Sequence, residues 1–544
     1  MDRNTVIAFI LIGLVLLLWP VYQRRVIGVP EPAVAPAGIS ATDSSSMQPE
    51  LSTATETQEI VRKPLHGVLA EKKVEIPDTI MVETDKYVGR LSTAGGGTVI
   101  SWKLKEYEGQ EDEWVELIAD SAYDNLGVSV GMIDGRQVDL SDRVFKLAMD
   151  MQSEENGRNL RVIRFSRTVP GLGTMEKEYH FEDGRYDFDL IIRLFDHQPG
   201  ELGKGMDLHW GSGLAPTESQ IKDDAMYYQA FAMQGDELVK TKDKSTGRLE
   251  GETHWSAVRI KYFLMAMIPD SPGRSAELEG EKTRDDWKSI SVTLGLPFSH
   301  RDTEERRISV FIGPMDLEVL KGYGVKLEET MNLGWILIKP FSIAFYYVLQ
   351  FLRRILGNYG LAIIIFSIMI KVIVYPLTRK SFESMRKMQE LQPKLETLKE
   401  KYKKDPQRLN QETMKLYKEQ GVNPMGGCLP FLIQMPVFFA LFNLFRTTIM
   451  LRKAEFLMIS DLSAPDGILP GGINLLPILA GITMIFQQRL TGSTQNNPQA
   501  KIMSYFMPVF LLFIFYRMSA GLNLYYFMFN ILTIAQELLV KKHK

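Results

Sequence analysis

Residues 359–377 read YGLAIIIFSIMIKVIVYPL, an apolar stretch about long enough to cross a bilayer that carries one lysine, Lys371. A charge inside a membrane segment costs free energy and therefore indicates a functional site. Apart from one segment at the N-terminus, every apolar run of membrane length lies after about residue 335. The sequence therefore predicts a membrane bundle in the C-terminal part of the chain, with a buried cation whose role must be explained.

The overall composition hides this division. The chain has 544 residues, 45% of them hydrophobic, and a formal net charge of −3, which does not indicate a nucleic-acid partner. The single cysteine, Cys428, cannot form an intramolecular disulfide. The seven histidines are scattered and neither HExxH nor CxxC occurs, so we expect no metal site and no cofactor.

The polar part of the chain is predicted to be an anchored β domain. Residues 1–22 contain the apolar run TVIAFILIGLVLLLWPVY, which we interpret as an uncleaved membrane anchor because the Ala33-Val34-Ala35 motif lies well beyond it. Residues 23–59 are rich in Pro, Ala, Ser and Thr, which predicts a flexible linker. Residues 60–325 alternate apolar and polar residues over many short runs, for example at 186–194, which predicts a β-sandwich.

The apolar part is predicted to hold five membrane-spanning helices, which with the anchor make six. Their expected bounds are 357–377, 429–451, 472–488, 503–518 and 521–540. Residues 333–356 are apolar but carry Lys339, Gln350, Arg353 and Arg354, so they either span the membrane or lie in its interface as an amphipathic helix. The predicted fold class is thus an α-helical membrane bundle of six transmembrane helices, five in the core, joined to a large soluble all-β domain.

The distribution of charge sets the orientation. The segment 378–421 is strongly basic, 489–501 carries only basic charges and the C-terminus reads KKHK, so all three are expected in the cytoplasm. The segment 452–471 has three acids against two bases and suits the outside. Both termini are therefore predicted to be cytoplasmic and the β domain to lie outside. Residues 333–356 are then interfacial, because a span there would turn the basic segment outward. Arg24 and Arg25 locally oppose this orientation.

The basic segment 378–421 is predicted to be a cytoplasmic helical hairpin. Apolar residues within 381–404 recur every three or four positions, as on an amphipathic helix, with a kink expected at Pro393. Asp405 and the proline after it predict the start of a second helix, which should end at Gly421. Two roles remain open: a basic connector that fixes the topology, or a mobile docking arm for a ribosome, a nascent chain or lipid headgroups.

Two interpretations of Lys371 also remain open. It lies about six residues, or about 9 Å, from the cytoplasmic end of its span, so it either snorkels to the interface or faces a water-filled cavity. Polar side chains in the spans favour the cavity, because lipid-facing amides would be costly. These are Ser367, Gln434, Asn443, Gln487, Gln488, Asn523, Asn530 and Gln536. We expect no carboxylate opposite Lys371, so an acidic or polar guest would be accepted, and no enzymatic reaction is indicated.

Several motifs resemble those of the YidC membrane-protein insertase family, whose relatives are the mitochondrial Oxa and chloroplast Alb proteins. The motifs are Tyr375-Pro376-Leu377-Thr378, Leu391-Gln392-Pro393-Lys394, residues 422–436 (VNPMGGCLPFLIQMP), Gly521-Leu522 and Tyr525-Tyr526. The resemblance is close from residue 333 to residue 541. The layout of anchor, linker and outer β domain resembles the Gram-negative form of the family, which has a large periplasmic domain.

The resemblance implies an insertase and chaperone of the bacterial inner membrane, without a reaction, a nucleotide, a cofactor or a small-molecule substrate. It implies a hydrophilic, positively charged groove that opens to the cytoplasm and to lipid, and an outer domain that resembles a sugar-binding super-sandwich. The groove residues that it implies are Lys371, Ser367, Gln434, Met435, Phe438 and Tyr526. Most members carry arginine where Lys371 stands, and lysine keeps the charge but loses the bidentate geometry.

The partners implied are nascent membrane proteins, the lipid bilayer, the Sec translocon and, through the cytoplasmic hairpin, the ribosome. Other functions predict features that differ from these. A small-solute transporter predicts inverted repeats, and none is evident among the five spans. A membrane-anchored carbohydrate enzyme would need a cluster of histidines or carboxylates in the outer domain, and none is evident. A Sec-associated assembly scaffold overlaps with the insertase and can hold together with it.

Overall fold

A computed structural model describes residues 76–542, with gaps at 110–112, 119–123, 156, 199, 242–243, 283–286, 404, 423–428 and 492–497. The predicted anchor, the predicted linker and the first residues of the predicted β domain lie outside the described residues, as does part of the 422–436 motif. Residues Pro77–Lys401 and Glu412–Lys544 form one compact unit, to which Tyr402–Gln411 does not belong.

The N-terminal part of this unit is an all-β domain of two antiparallel sheets. The first sheet consists of β1 (Thr79–Glu83), β2 (Tyr87–Ser92), β3 (Thr98–Glu108) and β4 (Trp114–Glu116), in that order. Within the part of the chain that the structure describes, the second sheet has 14 strands. These are β5 (Gly127–Met132), β6 (Gln137–Asp139), β7 (Lys146–Glu155), β8 (Arg158–Val169), β9 (Gly173–Glu182), β10 (Asp187–Phe195), β11 (Leu202–Trp210), β12 (Gln229–Gln234), β13 (Glu237–Thr241), β14 (Arg248–Arg259), β15 (Phe263–Pro269), β16 (Gly273–Lys282), β17 (Lys288–Pro297) and β18 (Glu304–Pro314).

The large sheet runs in the order β6-β5-β11-β17-β16-β14-β15-β18-β10-β9-β8-β7, and the β12–β13 hairpin branches from β14. The strand predicted at 186–194 corresponds to β10, so the all-β prediction is confirmed. Strand β15, with the sequence FLMAMIP, is buried along its whole length and therefore does not alternate. An alternating pattern requires one solvated face, which a central strand covered on both sides does not have.

Trp102 of β3 joins the two sheets. Its indole Nε1 donates a hydrogen bond of 3.2 Å to the carbonyl oxygen of Ile312 in β18, and its ring stacks on Tyr87 with the ring centres 4.1 Å apart. Gly89 of β2 lies against this indole, and a Cβ there would approach the ring to 2.8 Å. Only glycine therefore permits this packing of β2 on the indole.

The helices are α1 (Ile221–Tyr227), α2 (Leu317–Gly322), α3 (Lys339–Leu356), α4 (Tyr359–Glu390), α5 (Gln392–Lys401), α6 (Pro406–Glu419), α7 (Leu429–Thr447), α8 (Leu475–Thr491), α9 (Pro498–Phe515) and α10 (Ala520–Lys542). Short 3₁₀ turns occupy Leu327–Met331 and Ile449–Leu451. By length and composition, one helical stretch among the described residues is able to cross a membrane, Tyr359–Arg379, and Leu475–Gln488 is a shorter apolar helix.

Several helix ends follow local signals in the sequence. Helix α3 begins at Lys339, and Pro340 lies in its first turn, where the N–H that proline lacks would have no partner within the helix. The helix ends at Gly357, which has a left-handed backbone with a φ of 74°. Helix α4 continues past residue 378 to Glu390, and α5 restarts beside Pro393. Helix α6 follows Asp405, whose carboxylate accepts a hydrogen bond of 3.0 Å from the Arg408 N–H.

The β domain packs against the segment that follows α7. Ile449 belongs to the same hydrophobic core as the strands. Arg452 pairs with Glu218 at 2.8 Å, and their side chains are only 3% and 15% exposed. The Arg452 guanidinium also lies 5.3 Å from the centre of the Phe263 ring in β15. A charge pair shielded from water in this way fixes the segment after α7 to the β domain.

Lys177 of β9 is fully buried within the β domain. Its Nζ donates hydrogen bonds to the carbonyl oxygens of Gly95, at 2.8 Å, and Leu126, at 2.7 Å. Burial lowers the pKa of this lysine from 10.5 to about 7, because the charged form loses its hydration. The neutral amine of Lys177 has two hydrogens, so it can donate one to each of the two carbonyl oxygens.

The buried Lys177 makes the stability of the β domain depend on pH. Between about pH 7 and pH 10 the unfolded chain holds a proton that the folded chain lacks, so the free energy of unfolding should rise with pH by up to about 1.4 kcal/mol per unit. Below this window both states carry the proton and the contribution is constant. Urea denaturation of the protein in detergent, followed by tryptophan fluorescence, measures the rise. Lys177→Met should abolish it, whereas Lys146→Met on the exposed surface should retain it; equal slopes in all three proteins would contradict the assignment.

The Arg452–Glu218 pair is expected to hold the β domain in place. Arg452→Met removes the cation from a largely buried ion pair, and such a loss costs about 3–5 kcal/mol. The melting temperature of the purified protein should fall, and Arg452→Met/Glu218→Gln should recover part of the loss because the buried negative charge is removed as well. Lys453→Met, at an exposed neighbouring position, is the control. Unchanged melting of Arg452→Met would show that the pair does not stabilise the junction.

Candidate functional site

Lys371 lies in the apolar part of helix α4, at 359–377, and its side chain is held by α10. The Nζ atom donates a hydrogen bond of 2.8 Å to the Thr533 hydroxyl oxygen and lies 4.7 Å from the centre of the Phe529 ring. The Thr533 hydroxyl donates its own hydrogen to the Phe529 carbonyl oxygen at 2.7 Å, so its lone pairs face the ammonium. The lysine charge is therefore bound between two helices, which favours the interior interpretation over snorkelling.

A carboxylate also lies near this ammonium. Glu537 follows Thr533 by four residues, so it occupies the same face of α10 one turn further on. It is only 7% exposed and lies within electrostatic range of Lys371. The expectation that no carboxylate faces Lys371 is therefore wrong. Phe529, Thr533 and Glu537 repeat every four residues, and this spacing places them on one face of α10.

Aromatic rings from α7, α9 and α10 form a cluster. The Phe438 ring of α7 lies 5.5 Å from that of Tyr526 and 6.0 Å from that of Phe515 in α9, measured between ring centres. The Tyr526 and Phe515 rings are 4.8 Å apart. Phe438 and Tyr526 were both predicted site residues, and the structure brings them into contact. Phe515 was missed, since nothing in an apolar span distinguishes one phenylalanine from its neighbours.

Gln434 and Tyr525 connect the aromatic cluster to the charged end. The Gln434 amide nitrogen donates a hydrogen bond of 2.8 Å to the Tyr525 hydroxyl. The Tyr525 ring lies 5.9 Å from that of Phe529, which is the ring under Lys371. Gln434, Tyr525, Phe529 and Lys371 therefore form one continuous series of contacts between α7, α10 and α4.

The other predicted polar residues have different surroundings. Ser367 is fully buried and its hydroxyl donates to the Ile363 carbonyl oxygen of its own helix at 2.7 Å, while Met435 is half-buried on α7. Asn523 donates to the Phe515 carbonyl oxygen at 3.1 Å, and Asn530 donates to that of Ala480 at 3.3 Å. These two amides therefore join helices, which is a second way to avoid contact with lipid.

Among the residues that the structure describes, no three His, Cys, Asp or Glu side chains are grouped as metal ligands would be.

Comparison with known proteins gives the class of this molecule. A family model described as the 60 kDa inner membrane protein matches residues 351–544, and one described as the YidC periplasmic domain matches residues 79–343. The membrane protein insertase YidC of Chlorobium limicola is 34% identical over 567 residues, which cover 99% of this chain and 94% of the relative. The membrane protein insertase YidC of Chloroherpeton thalassium is 33% identical over 571 residues, which cover 100% of this chain and 96% of the relative. A crystal structure of an active YidC insertase, 20% identical, covers 85% of this chain and 93% of its own with a TM-score of 0.37.

The two family models together span the β domain and the helical part, so the molecule is an inner-membrane insertase with a periplasmic domain. On these full-length matches the chain belongs to the YidC family. Its substrates are membrane proteins. The resemblance drawn from the sequence motifs is confirmed.

Proposed function

We propose that this insertase moves the polar part of a substrate through a groove bordered by α4, α7 and α10, with Lys371 as the positive charge of that groove. The observation that carries the proposal is the contact of Lys371 with Thr533 and Phe529, since it holds a cation inside the otherwise apolar stretch at 359–377. A charge at such a depth is retained when it has a function. It interacts more strongly there than in bulk water, because the surroundings have a low dielectric constant.

The proposed topology has six transmembrane helices, five of them in the core, and both termini in the cytoplasm. The core helices are α4, α7, α8, α9 and α10, and the sixth is the predicted anchor at 1–22. Helix α3 would lie in the outer interface: it exposes Phe341, Phe351 and Ile355 on one face and buries Tyr346 and Leu349 on the other. An exposed aromatic and aliphatic face of this kind suits the boundary of a bilayer.

In the first step, a short polar tail of the nascent chain enters the groove from the cytoplasm. Water, the amide of Gln434 and the ammonium of Lys371 replace part of its hydration. The tail then has a shorter apolar path to cross than it would in lipid alone. The step needs no nucleotide, cofactor or covalent chemistry, so the proposed activity is not enzymatic.

In the second step, the apolar segment of the substrate moves sideways into lipid past Met435, Phe438 and Tyr526. Burial of about 20 apolar residues in the bilayer supplies the driving force. A thioether and aromatic rings suit a passage that must accept many sequences, because a flexible methionine repacks around different partners. The same surfaces would let the protein act as a chaperone while a substrate folds.

The proposed partners follow from charge and position. Helices α5 and α6, within the segment 378–421, are rich in lysine and would form a cytoplasmic docking arm for a nascent chain or a ribosome. The Sec translocon is proposed as a membrane partner for substrates too large for the groove alone.

Lys371→Ala should impair the insertion of substrates with acidic tails most. The purified protein is reconstituted into lipid vesicles, and a small single-span substrate is offered with an acidic or a neutral tail. The protease-protected fraction measures insertion. Loss of an interaction of about 1 kcal/mol should reduce insertion of the acidic tail by roughly fivefold. Lys371→Arg should keep the activity because it keeps the charge.

Lys453→Ala serves as the control, since Lys453 is an exposed lysine of the segment predicted to lie outside. Equal insertion of both substrates by Lys371→Ala and the wild type would remove the electrostatic role of the groove. Insertion by no variant above that of protein-free vesicles would instead favour a scaffold that works only together with the Sec translocon.

A further inference from the structure

Glu537, on the same face of α10 as the partners of Lys371, takes no part in the insertion steps proposed above. A carboxylate that is 7% exposed within a helix of an apolar bundle is costly unless a cation stabilises it. Lys371 lies within electrostatic range, and its ammonium already contacts Phe529 and Thr533, which precede Glu537 by two turns and one turn of α10. The cation and the carboxylate therefore share one strip of one helix surface.

We propose that Glu537 is the resident counter-ion of Lys371 and determines which substrate tails the groove accepts. The inference rests on the charged groove proposed above and deepens it. In the resting protein the two charges compensate each other, so the groove is close to neutral. An acidic tail must take the place of Glu537 beside the ammonium, whereas a basic tail can interact with Glu537 itself.

The hydrogen bond to Thr533 makes such an exchange possible. Thr533 is a neutral acceptor at 2.8 Å, so the ammonium keeps one protein partner while the anion beside it changes. The Phe529 ring offers a second neutral contact at 4.7 Å. Lys371 therefore does not have to be stripped of all its contacts for a guest carboxylate to replace Glu537.

The test compares three versions of one single-span substrate, which differ only in one acidic, neutral or basic residue of the translocated tail. Insertion into vesicles that contain the full-length protein is measured as the protease-protected fraction, and the ratio of acidic to basic insertion is the readout. Glu537→Gln keeps the shape and removes the charge, so the ratio should rise by roughly fivefold, which corresponds to about 1 kcal/mol. Lys371→Ala should lower it by a similar factor.

If Lys371 and Glu537 act as an ion pair, further variants have defined outcomes that independent roles of the two residues would not predict. The double variant Lys371→Ala/Glu537→Gln should show a ratio near one, because neither charge remains. Glu537→Asp keeps the charge and should stay within about twofold of the wild type. Glu455→Gln removes the same charge from an exposed position on the segment between α7 and α8 and is the matched control.

A ratio unchanged by Glu537→Gln, while Lys371→Ala still weakens insertion of the acidic tail, would overturn the counter-ion role and leave the charged groove intact. A ratio unchanged by Lys371→Ala as well would overturn both. A second comparison uses Lys371→Ala alone and therefore does not depend on the folding of Glu537→Gln. In Lys371→Ala the remaining carboxylate should make basic tails insert better than neutral ones, and equal insertion of the two would count against the proposal.

Discussion

The contact between Lys371 and α10 is the interaction on which the helical part depends. A lysine inside an apolar helix requires partners that do not come from lipid, and α10 supplies a hydroxyl, an aromatic ring and a nearby carboxylate along one face. The same helix carries Tyr525, which accepts from Gln434 on α7, and Tyr526, which packs against Phe438. Helix α10 thus orders the surfaces of its neighbours, and one strip of it contains both the charged and the aromatic part of the candidate site.

The β domain meets a related constraint at the other end of the helices. The pair Arg452–Glu218 is almost closed to water, and Ile449 beside it is part of the domain core. A charged contact within an apolar junction has a defined geometry, because only one arrangement satisfies both groups. The segment after α7 is therefore held by the periplasmic domain. Arg446 near the end of α7 also contacts that domain, with its guanidinium 5.5 Å from the centre of the Tyr227 ring.

The sequence was sufficient for the features that depend on local patterns. Alternation over short runs predicted the β domain, Asp405 predicted the start of α6, and Lys371 stood out because a single charge interrupts an apolar stretch. It was not sufficient where the role of a residue depends on a neighbour from another helix. The polarity of Asn523 and Asn530 favoured a cavity, and in the structure both donate to backbone carbonyls of other helix segments. An amide away from lipid has both options, and only the packing decides between them.

Lysine in place of arginine at the charged position has a physical consequence once Glu537 is considered. A guanidinium beside a carboxylate forms two parallel hydrogen bonds of fixed geometry, and a guest would have to break both. An ammonium is a compact point charge whose three hydrogens can be directed to different acceptors. Lys371 can therefore keep its bond to Thr533 while the anion beside it is exchanged. A lysine with a resident carboxylate binds each guest less specifically than an arginine would, and it releases each guest more readily. Ready release suits a protein whose substrates must leave for the lipid after every insertion.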